Sequence, residues 1–180
     1  MHAVTLETPR PRESSRPTFA AVAEACLDDV FGYLLYLTKN RTLAEDLTGE
    51  TFETALRRWR RFDPRRGTPQ AWLLAIARST ALDWFRADAR PRRREERAGA
   101  TDPREVHEPA FGEGFSPALE EGLRELTAGE REVVALRIVL DLDGEETARL
   151  LGITPTAVST RLHRALAKLE ERMRHHDVVA

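Results

Sequence analysis

The sequence has little or nothing of several features that define common protein classes. It has one cysteine, Cys26, in 180 residues, so no intramolecular disulfide can form. It has no CxxC pair, HExxH, P-loop, GxGxxG or GxSxG motif, which weakens an enzymatic interpretation. No apolar run approaches the roughly 18 residues of a membrane-spanning helix, and the N-terminus has Pro, Arg and Glu where a signal peptide has its apolar stretch. We therefore expect a cytoplasmic protein with no membrane insertion.

Charge is distributed unevenly, although the formal net charge is only −2 at pH 7. Residues 24–56 carry seven acids against two bases, and residues 57–97 carry thirteen arginines against five acids. Residues 102–132 carry nine acids against three arginines, and residues 155–174 carry five bases against two acids. Two basic blocks separated by an acidic one indicate two contacts with a polyanion, because phosphate attraction is local and screened beyond about 10 Å. Two solvated helix faces are the alternative interpretation.

Apolar residues at helical spacing predict three helices in the first half of the chain, over 18–40, 42–61 and 69–88. Thr42 with Glu45 forms a predicted capping box at the start of the second helix. Three acids on that helix, at spacings of four and three, build a compact acidic face opposite the apolar stripe: Asp46, Glu50 and Glu53. Thr68 is the predicted N-cap of the third helix, with a proline at the first helical position.

A second helical unit follows a stretch without sustained periodicity. Pro91 is predicted to end the third helix, and Thr127 with Glu130 predicts a second capping box. The predicted fold class is all-α, with two small helical domains joined by a flexible linker. The predicted boundaries are a disordered extension over 1–17, a domain over 18–90, a linker over 91–117, a domain over 118–174 and a tail over 175–180.

The stretch from Glu145 to Met173 has the spacing of a helix-turn-helix. A first helix over 145–151 is followed by Gly152, which permits a left-handed turn, and Thr154 caps the second helix. The N-terminal turns of that second helix are the part that reaches base edges in a major groove. The residues expected to face outward there are Thr156, Ser159, Thr160, His163 and Arg164. A plain helical hairpin is the alternative interpretation.

These motifs together resemble a known family. LYLTKNRTLAEDLTGETFETALRRWRRFDPRRGTPQAWLLAIARSTALDWFR resembles sigma domain two of bacterial RNA polymerase sigma factors. LRELTAGEREVVALRIVLDLDGEETARLLGITPTAVSTRLHRALAKLEERM resembles sigma domain four. Two such domains with a short linker are the layout of the extracytoplasmic-function, or group four, sigma factors. The resemblance implies an alternative sigma factor that binds core RNA polymerase, directs it to specific promoters and helps to open the minus-ten region.

The resemblance also implies roles for particular residues. The acidic face would dock on the clamp helices of the β′ subunit, and domain four would contact the β flap. The residues implied in capturing the minus-ten element are Phe62, Asp63, Arg65, Arg66, Trp72, Arg78, Ser79, Asp83 and Arg86. The residues implied at the minus-thirty-five element are Thr156, Ser159, Thr160, Arg161, His163 and Arg164. An anti-sigma factor that covers these surfaces is also expected.

Two departures from the family bear on promoter specificity. Ser79 stands where family members commonly have Asn, and Ser159 stands where Lys or Arg is common, so the promoter sequence is not transferable. We expect no catalytic residue, no metal site, no cofactor and no small-molecule substrate. One competing hypothesis is a helix-turn-helix repressor or activator that needs no polymerase. Another is a helical adaptor or anti-sigma-type interaction protein, whose basic blocks would be solvated surface.

Overall fold

The computed structural model describes residues 17–97 and 116–179. Two 3₁₀ turns, Trp59–Arg61 and Pro64–Arg66, lie between the second and third α-helices. A π-helical turn over Ala135–Val139 follows the fifth α-helix directly. Every regular element in the described ranges is helical, which confirms the all-α prediction. Residues 1–16 and 98–115, to which most of the predicted extension and linker belong, lie outside these ranges. The α-helices are α1 Phe19–Thr38, α2 Arg41–Arg58, α3 Pro69–Arg97, α4 Pro117–Glu125, α5 Ala128–Val134, α6 Gly144–Leu151 and α7 Pro155–Val179.

Helices α1, α2 and α3 form the N-terminal domain around one apolar core. The spacing of apolar residues gives each helix one buried stripe, and burial of such side chains stabilises by about 1.5–3 kcal/mol each. Cys26 lies in this core as a buried free thiol, as expected for a small apolar residue. The residues at the centre of the core are Val30, Tyr33, Leu34, Leu47, Ala55, Leu73, Leu74 and Ala77.

The junction of α1 and α2 differs from the sequence prediction. Lys39 ends α1 in the left-handed conformation, with φ 54°. Asn40 is extended, and its side-chain oxygen accepts a hydrogen bond from the Leu43 backbone N–H at 3.0 Å, so α2 begins at Arg41. The predicted N-cap at Thr42 is therefore wrong, because an asparagine two residues earlier satisfies the free N–H groups first.

Helix α3 begins as predicted and ends later than predicted. The Thr68 hydroxyl accepts from the Ala71 backbone N–H at 3.2 Å, which confirms Thr68 as the N-cap. The helix then passes through Pro91 to Arg97, so the prediction that Pro91 ends it is wrong. Proline removes one helical hydrogen bond, and that single loss does not end a helix whose preceding turns are held by packing.

Helices α4 to α7 form the C-terminal domain. Its apolar residues lie in two small clusters, one around Leu126 and Leu169 and the other around Val133 and Val158. The predicted capping box at the start of α5 is confirmed, since the Thr127 hydroxyl accepts from the backbone N–H of the glutamate three residues on and that glutamate's carboxylate accepts from the Thr127 backbone N–H. Such a cap contributes about 1 kcal/mol.

Helices α6 and α7 have the predicted helix-turn-helix geometry. Gly152 adopts the left-handed conformation with φ 67°, and the Thr154 hydroxyl accepts from the Ala157 backbone N–H at 3.2 Å. Val158 is 1% exposed and packs toward α5, whereas Leu166 is 43% exposed. Ala165 occupies the inward position in that turn, because a small residue lets α7 approach its neighbours closely.

The two domains are in contact. Helix α3 packs against α6. Three leucines from the π-helical turn after α5 and from the connection to α6 also belong to the buried cluster of the N-terminal domain. These three are Leu136, Leu140 and Leu142. The side chain of Arg137 donates a hydrogen bond to the Leu142 carbonyl oxygen, which folds the connection between α5 and α6 onto this cluster.

Candidate nucleic-acid interface

The predicted acidic face of α2 is an exposed surface. Asp46, Glu50 and Glu53 all lie in solvent, while Leu47 and Thr51 of the same helix are buried. Glu53 pairs with Arg57 at 2.6 Å within the helix, and the side chains of both are more than 60% exposed. An exposed pair of this kind contributes only a few tenths of a kcal/mol, so it leaves both charges available to a partner. The acidic surface therefore consists of Asp46, Glu50 and Glu53.

The connection from α2 to α3 is built on stacked aromatic rings. Phe62 stacks on Trp59, with ring centroids 5.1 Å apart and an interplanar angle of 4°, and Trp72 lies 5.4 Å from Phe62 at 51°. Phe62 is 6% exposed. Its ring is buried as packing for the loop, and its role at the minus-ten DNA stays a prediction. The sequence prediction of site residues did not include Trp59. Its position three residues before Phe62 was the sequence signal that could have indicated a contact between the two rings.

The loop presents two guanidinium groups to solvent. The Asp63 carboxylate accepts a hydrogen bond from the Arg65 backbone N–H at 3.0 Å and caps the short 3₁₀ turn. Asp63 thus shapes the loop, and Arg65 and Arg66 are exposed beside it. Gly67 has φ 146°, a conformation that L side chains rarely adopt. The loop over Phe62 to Gly67, here called the arginine loop, therefore holds an arginine pair at the N-terminus of α3, where free N–H groups also favour anions.

Helix α3 carries four further residues that are predicted to contact the minus-ten element: Trp72, Ser79, Asp83 and Arg86. Trp72 is half-buried against the rings of Trp59 and Phe62. Ser79 is exposed two turns further along, and Asp83 and Arg86 are exposed and paired with each other at 2.7 Å. Spacings of seven, four and three residues place the four α3 residues along one side of the helix.

Arg78 is bound to the C-terminal domain in this structure. Its Nε lies 3.0 Å from Oε1 of Glu132 on α5, and the Tyr33 hydroxyl donates to the same oxygen at 2.9 Å. Burial opposes the charge of Arg78, but the hydrogen bond and the charge of Glu132 outweigh it and raise the arginine pKa. Burial, followed by the Glu132 charge, also raises the pKa of Tyr33, so this hydroxyl remains a donor. Arg78 is thus paired with Glu132 in this arrangement, and its contact with DNA stays a prediction.

The helix-turn-helix presents most of its predicted residues to solvent. Thr156, Ser159, Thr160, His163 and Arg164 are exposed along the first turns of α7. The Ser159 and Thr160 hydroxyls donate to the carbonyls four residues back, at 3.2 and 2.9 Å, so both side chains lie close to the helix. Arg161 is half-buried, and its guanidinium lies beside Gly129 at the start of α5. These side chains form the α7 surface, with Arg164 as its exposed cation.

Two further observations bear on the kind of site. Within the described ranges, no group of three or more His, Cys, Asp and Glu side chains is arranged to hold a metal ion. No helix in the described part of the chain is long and apolar enough to cross a membrane.

Known proteins share both domains. Residues 22–91 match the family described as Sigma-70 region 2, and residues 117–169 match Sigma-70, region 4. The ECF RNA polymerase sigma factor SigX of Bacillus subtilis is 29% identical in an alignment of 163 residues that covers 87% of this chain and 84% of SigX. The RNA polymerase sigma factor CarQ of Myxococcus xanthus is 31% identical in an alignment of 167 residues that covers 90% of this chain and 92% of CarQ.

A solved structure has the same fold. The sigma factor RpoE of Bartonella quintana, solved in complex with the anti-sigma factor NepR, has a TM-score of 0.63 and 23% identity. The match covers 87% of this chain and 96% of RpoE. The matches to Sigma-70 regions 2 and 4, with two helical domains of which the second is a helix-turn-helix, define the class as a DNA-binding transcription initiation factor. The chain belongs to the ECF family of bacterial RNA polymerase sigma factors. It is an alternative sigma factor that directs RNA polymerase to promoters, and it is not an enzyme.

Proposed function

We propose that this sigma factor divides its task among three surfaces. The acidic surface on α2 binds the clamp helices of the polymerase β′ subunit, and the C-terminal domain contacts the β flap. The arginine loop and the exposed side of α3 capture the unpaired minus-ten strand, and the α7 surface contacts the minus-thirty-five element. The observation that carries this proposal is the acidic surface: three solvated carboxylates on one helix face, directly before a basic block.

The arginine loop and α3 supply the chemistry for single-stranded DNA. Arg65 and Arg66 attract the backbone, and the partly exposed ring of Trp72 is available to stack on a base at about 1–3 kcal/mol per base. Ser79 and Asp83 offer hydrogen-bonding groups along the same side of the helix. Captured bases offset the few kcal/mol that unstacking costs, so capture helps to open the minus-ten region.

The α7 surface supplies the chemistry for duplex DNA. Thr156, Ser159, Thr160 and His163 lie on the turns that enter a major groove, while Arg164 and Arg161 are placed for phosphates. The short Ser159 side chain contributes less to base contacts than an arginine would, so this protein depends more on its other contacts for the minus-thirty-five element.

The proposal also includes a cytoplasmic location and an anti-sigma factor that covers these surfaces. Support for the anti-sigma partner comes from RpoE of Bartonella quintana, which was solved in complex with the anti-sigma factor NepR.

Run-off transcription with purified core polymerase and a library of promoter fragments tests the acidic surface. We expect the triple variant Asp46→Ala, Glu50→Ala, Glu53→Ala to lose promoter-specific transcripts by about tenfold or more, which corresponds to at least 1.4 kcal/mol of binding energy. The matched control removes three exposed acids elsewhere: Glu24→Ala, Glu170→Ala and Glu171→Ala. Equal activity of the two triple variants would contradict docking through the acidic surface. Specific duplex binding with no stimulation of polymerase would favour a helix-turn-helix regulator instead.

A further inference from the structure

Four aromatic rings from three parts of the N-terminal domain meet at the base of the arginine loop. Trp59, in the first 3₁₀ turn, contacts each of the other three. It stacks on Phe62 with ring centroids 5.1 Å apart and an interplanar angle of 4°. It lies 5.8 Å from Trp72 of α3, and it meets Phe19, the first residue of α1, edge to face at 5.6 Å. Trp59 is therefore the centre of this aromatic cluster.

Phe62 anchors the arginine loop to the domain. Its side chain is 6% exposed, whereas residues 63–66 are all exposed. At the other end of the loop, Gly67 has no side chain that could pack. The ring of Phe62 is therefore the part of the loop that holds it against the helices.

The hydrogen bonds of the loop set its shape rather than its position. The Phe62 backbone N–H donates to the Trp59 carbonyl at 3.1 Å, and the Arg66 backbone N–H donates to the Asp63 carbonyl at 3.1 Å. The Asp63 carboxylate accepts from the Arg65 backbone N–H. These bonds join residues at most three positions apart, so they do not by themselves fix where the loop lies on the domain. The packing of Phe62 against Trp59 supplies that restraint.

Stacking fixes the orientation of a ring as well as its burial. Two parallel, offset rings attract each other beyond the apolar area that they bury, and the larger indole of Trp59 covers a face of the Phe62 ring. A binding group is effective only when packing holds it within about 0.5 Å of its productive geometry. A loop whose anchoring ring can tilt loses that precision, even though the domain stays folded.

We propose that Trp59 is a positioning residue for promoter opening, which acts through Phe62 to hold the two loop arginines where the minus-ten strand passes. Trp59 makes no contact with the strand in this role. The inference rests on the proposed function, which assigns the arginine loop to that strand. It separates two properties of the side chain at position 59: its apolar volume, which serves the core, and its flat ring, which serves the loop.

Two substitutions that differ in the ring test this role. Trp59→Leu keeps an apolar side chain but removes the flat face, and Trp59→Phe keeps a ring that can stack on Phe62. Leucine and phenylalanine stabilise a core by similar amounts when buried, so the two variants should have similar free energies of unfolding. Urea unfolding verifies that both are folded at the temperature of the assay. Competition for core polymerase verifies that both dock as the unaltered protein does.

Promoter opening is measured with holoenzyme on a promoter recovered from the run-off library, with 2-aminopurine placed in the minus-ten element. The fluorescence of this base rises when it is unstacked. We expect Trp59→Leu to slow opening by about tenfold or more, and Trp59→Phe to change it by less than about twofold. An opening rate of Trp59→Leu equal to that of the unaltered protein would overturn the proposal. Equal losses for the two variants would also overturn it, because the ring would then not matter.

A double-mutant cycle tests whether Trp59 acts through the loop. Arg65→Ala with Arg66→Ala removes the groups that Trp59 is proposed to position, so Trp59→Leu added to that variant should slow opening by less than about twofold. Arg124→Ala with Arg174→Ala removes the same charge from exposed positions of the other domain, and there Trp59→Leu should keep its full effect. A further tenfold loss in the first background would overturn the proposal, because Trp59 would then act independently of the loop.

The loop variant also separates this inference from the proposed function. If Arg65→Ala with Arg66→Ala opens the promoter as fast as the unaltered protein, the assignment of the loop to the minus-ten strand is wrong, and so is this inference. If the loop variant opens slowly and Trp59→Leu does not, the proposed function stands and the positioning role alone is overturned. Slow opening by both, without additivity, supports both proposals.

Discussion

The two domains bury their apolar side chains in different ways. The N-terminal domain has one cluster fed by three helices, in which Leu34, Leu73 and Leu74 are fully buried. The apolar residues of the C-terminal domain lie in two small clusters of their own, and two of its leucines, Leu136 and Leu142, pack in the N-terminal cluster. The domain that carries the helix-turn-helix therefore depends more on contacts outside its own apolar core.

Polar contacts at helix ends supply part of that stability. The Arg131 guanidinium donates to the Leu123, Arg124 and Leu126 carbonyls at the end of α4. Arg172 of α7 pairs with Glu121 on α4. Such contacts take the place of apolar burial in the C-terminal domain. Substitution of an apolar residue should therefore lower the free energy of unfolding more in the N-terminal domain. Substitution of a polar residue should lower it more in the C-terminal domain.

The largest effect is expected at the centre of the N-terminal core. Leu73→Ala should lower the free energy of unfolding by about 2–5 kcal/mol, because it leaves a cavity among fully buried neighbours. Leu56→Ala, at a leucine that is 58% exposed, should change it by less than about 0.5 kcal/mol. Urea unfolding followed by tryptophan fluorescence measures this, since the sequence places all three tryptophans in the N-terminal domain. Equal losses for the two variants would refute a single tight core.

A smaller effect, confined to the C-terminal domain, is expected at Glu130. Its carboxylate accepts from Thr127 and pairs with Lys168 at 2.8 Å, and these contacts lower its pKa to about 2. Because the folded pKa lies below the ordinary value, the carboxylate stabilises the domain above about pH 4.5, and this contribution is lost as the pH falls toward 2. Glu130→Gln should therefore cost about 1–2 kcal/mol at neutral pH, and less as the solution is acidified.

Circular dichroism across this pH range, with tryptophan fluorescence as the marker for the other domain, measures the Glu130 effect. Glu170→Gln, which removes only an exposed pair with Arg174, is the control and should have no measurable cost. A pH-independent difference between Glu130→Gln and the unaltered protein would show that the charge of Glu130 contributes nothing.

The sequence predicts the helices well because their signals are local. Periodicity predicts the all-α class, and the caps at Thr68, Thr127 and Thr154 follow from short-range patterns that the structure confirms. Competition among neighbouring signals caused the errors. Asn40 caps α2 in place of Thr42, and α3 continues past Pro91 because its earlier turns are packed.

Long-range contacts had no signal in a single sequence. Phe62 lies in the motif that resembles a DNA-contacting loop, yet Trp59 and Trp72 cover its ring. Arg78 lies on a helix assigned to DNA, yet Glu132 binds it from 54 residues away. The acidic surface was predictable because all of its members lie on one helix, whereas the residues that join the domains are brought together only by the tertiary fold.

The smallest effects are expected at two helical glycines, one in each domain. Nothing lies within 4 Å of a Cβ built at Gly49 on α2, so Gly49→Ala should raise the free energy of unfolding by about 0.5–1 kcal/mol through higher helix propensity. A Cβ at Gly122 on α4 would lie 2.9 Å from Cδ2 of Leu169, so crowding offsets the same gain. Because the end of the Leu169 side chain can shift, Gly122→Ala should lower the free energy of unfolding by about 1 kcal/mol or less.

Urea unfolding measures both changes, by fluorescence for Gly49→Ala and by circular dichroism for Gly122→Ala. Changes of opposite sign in the free energy of unfolding would show that the small C-terminal cluster is tightly packed where α4 meets α7. A higher free energy of unfolding for both variants would mean that this cluster is loosely packed as well as small.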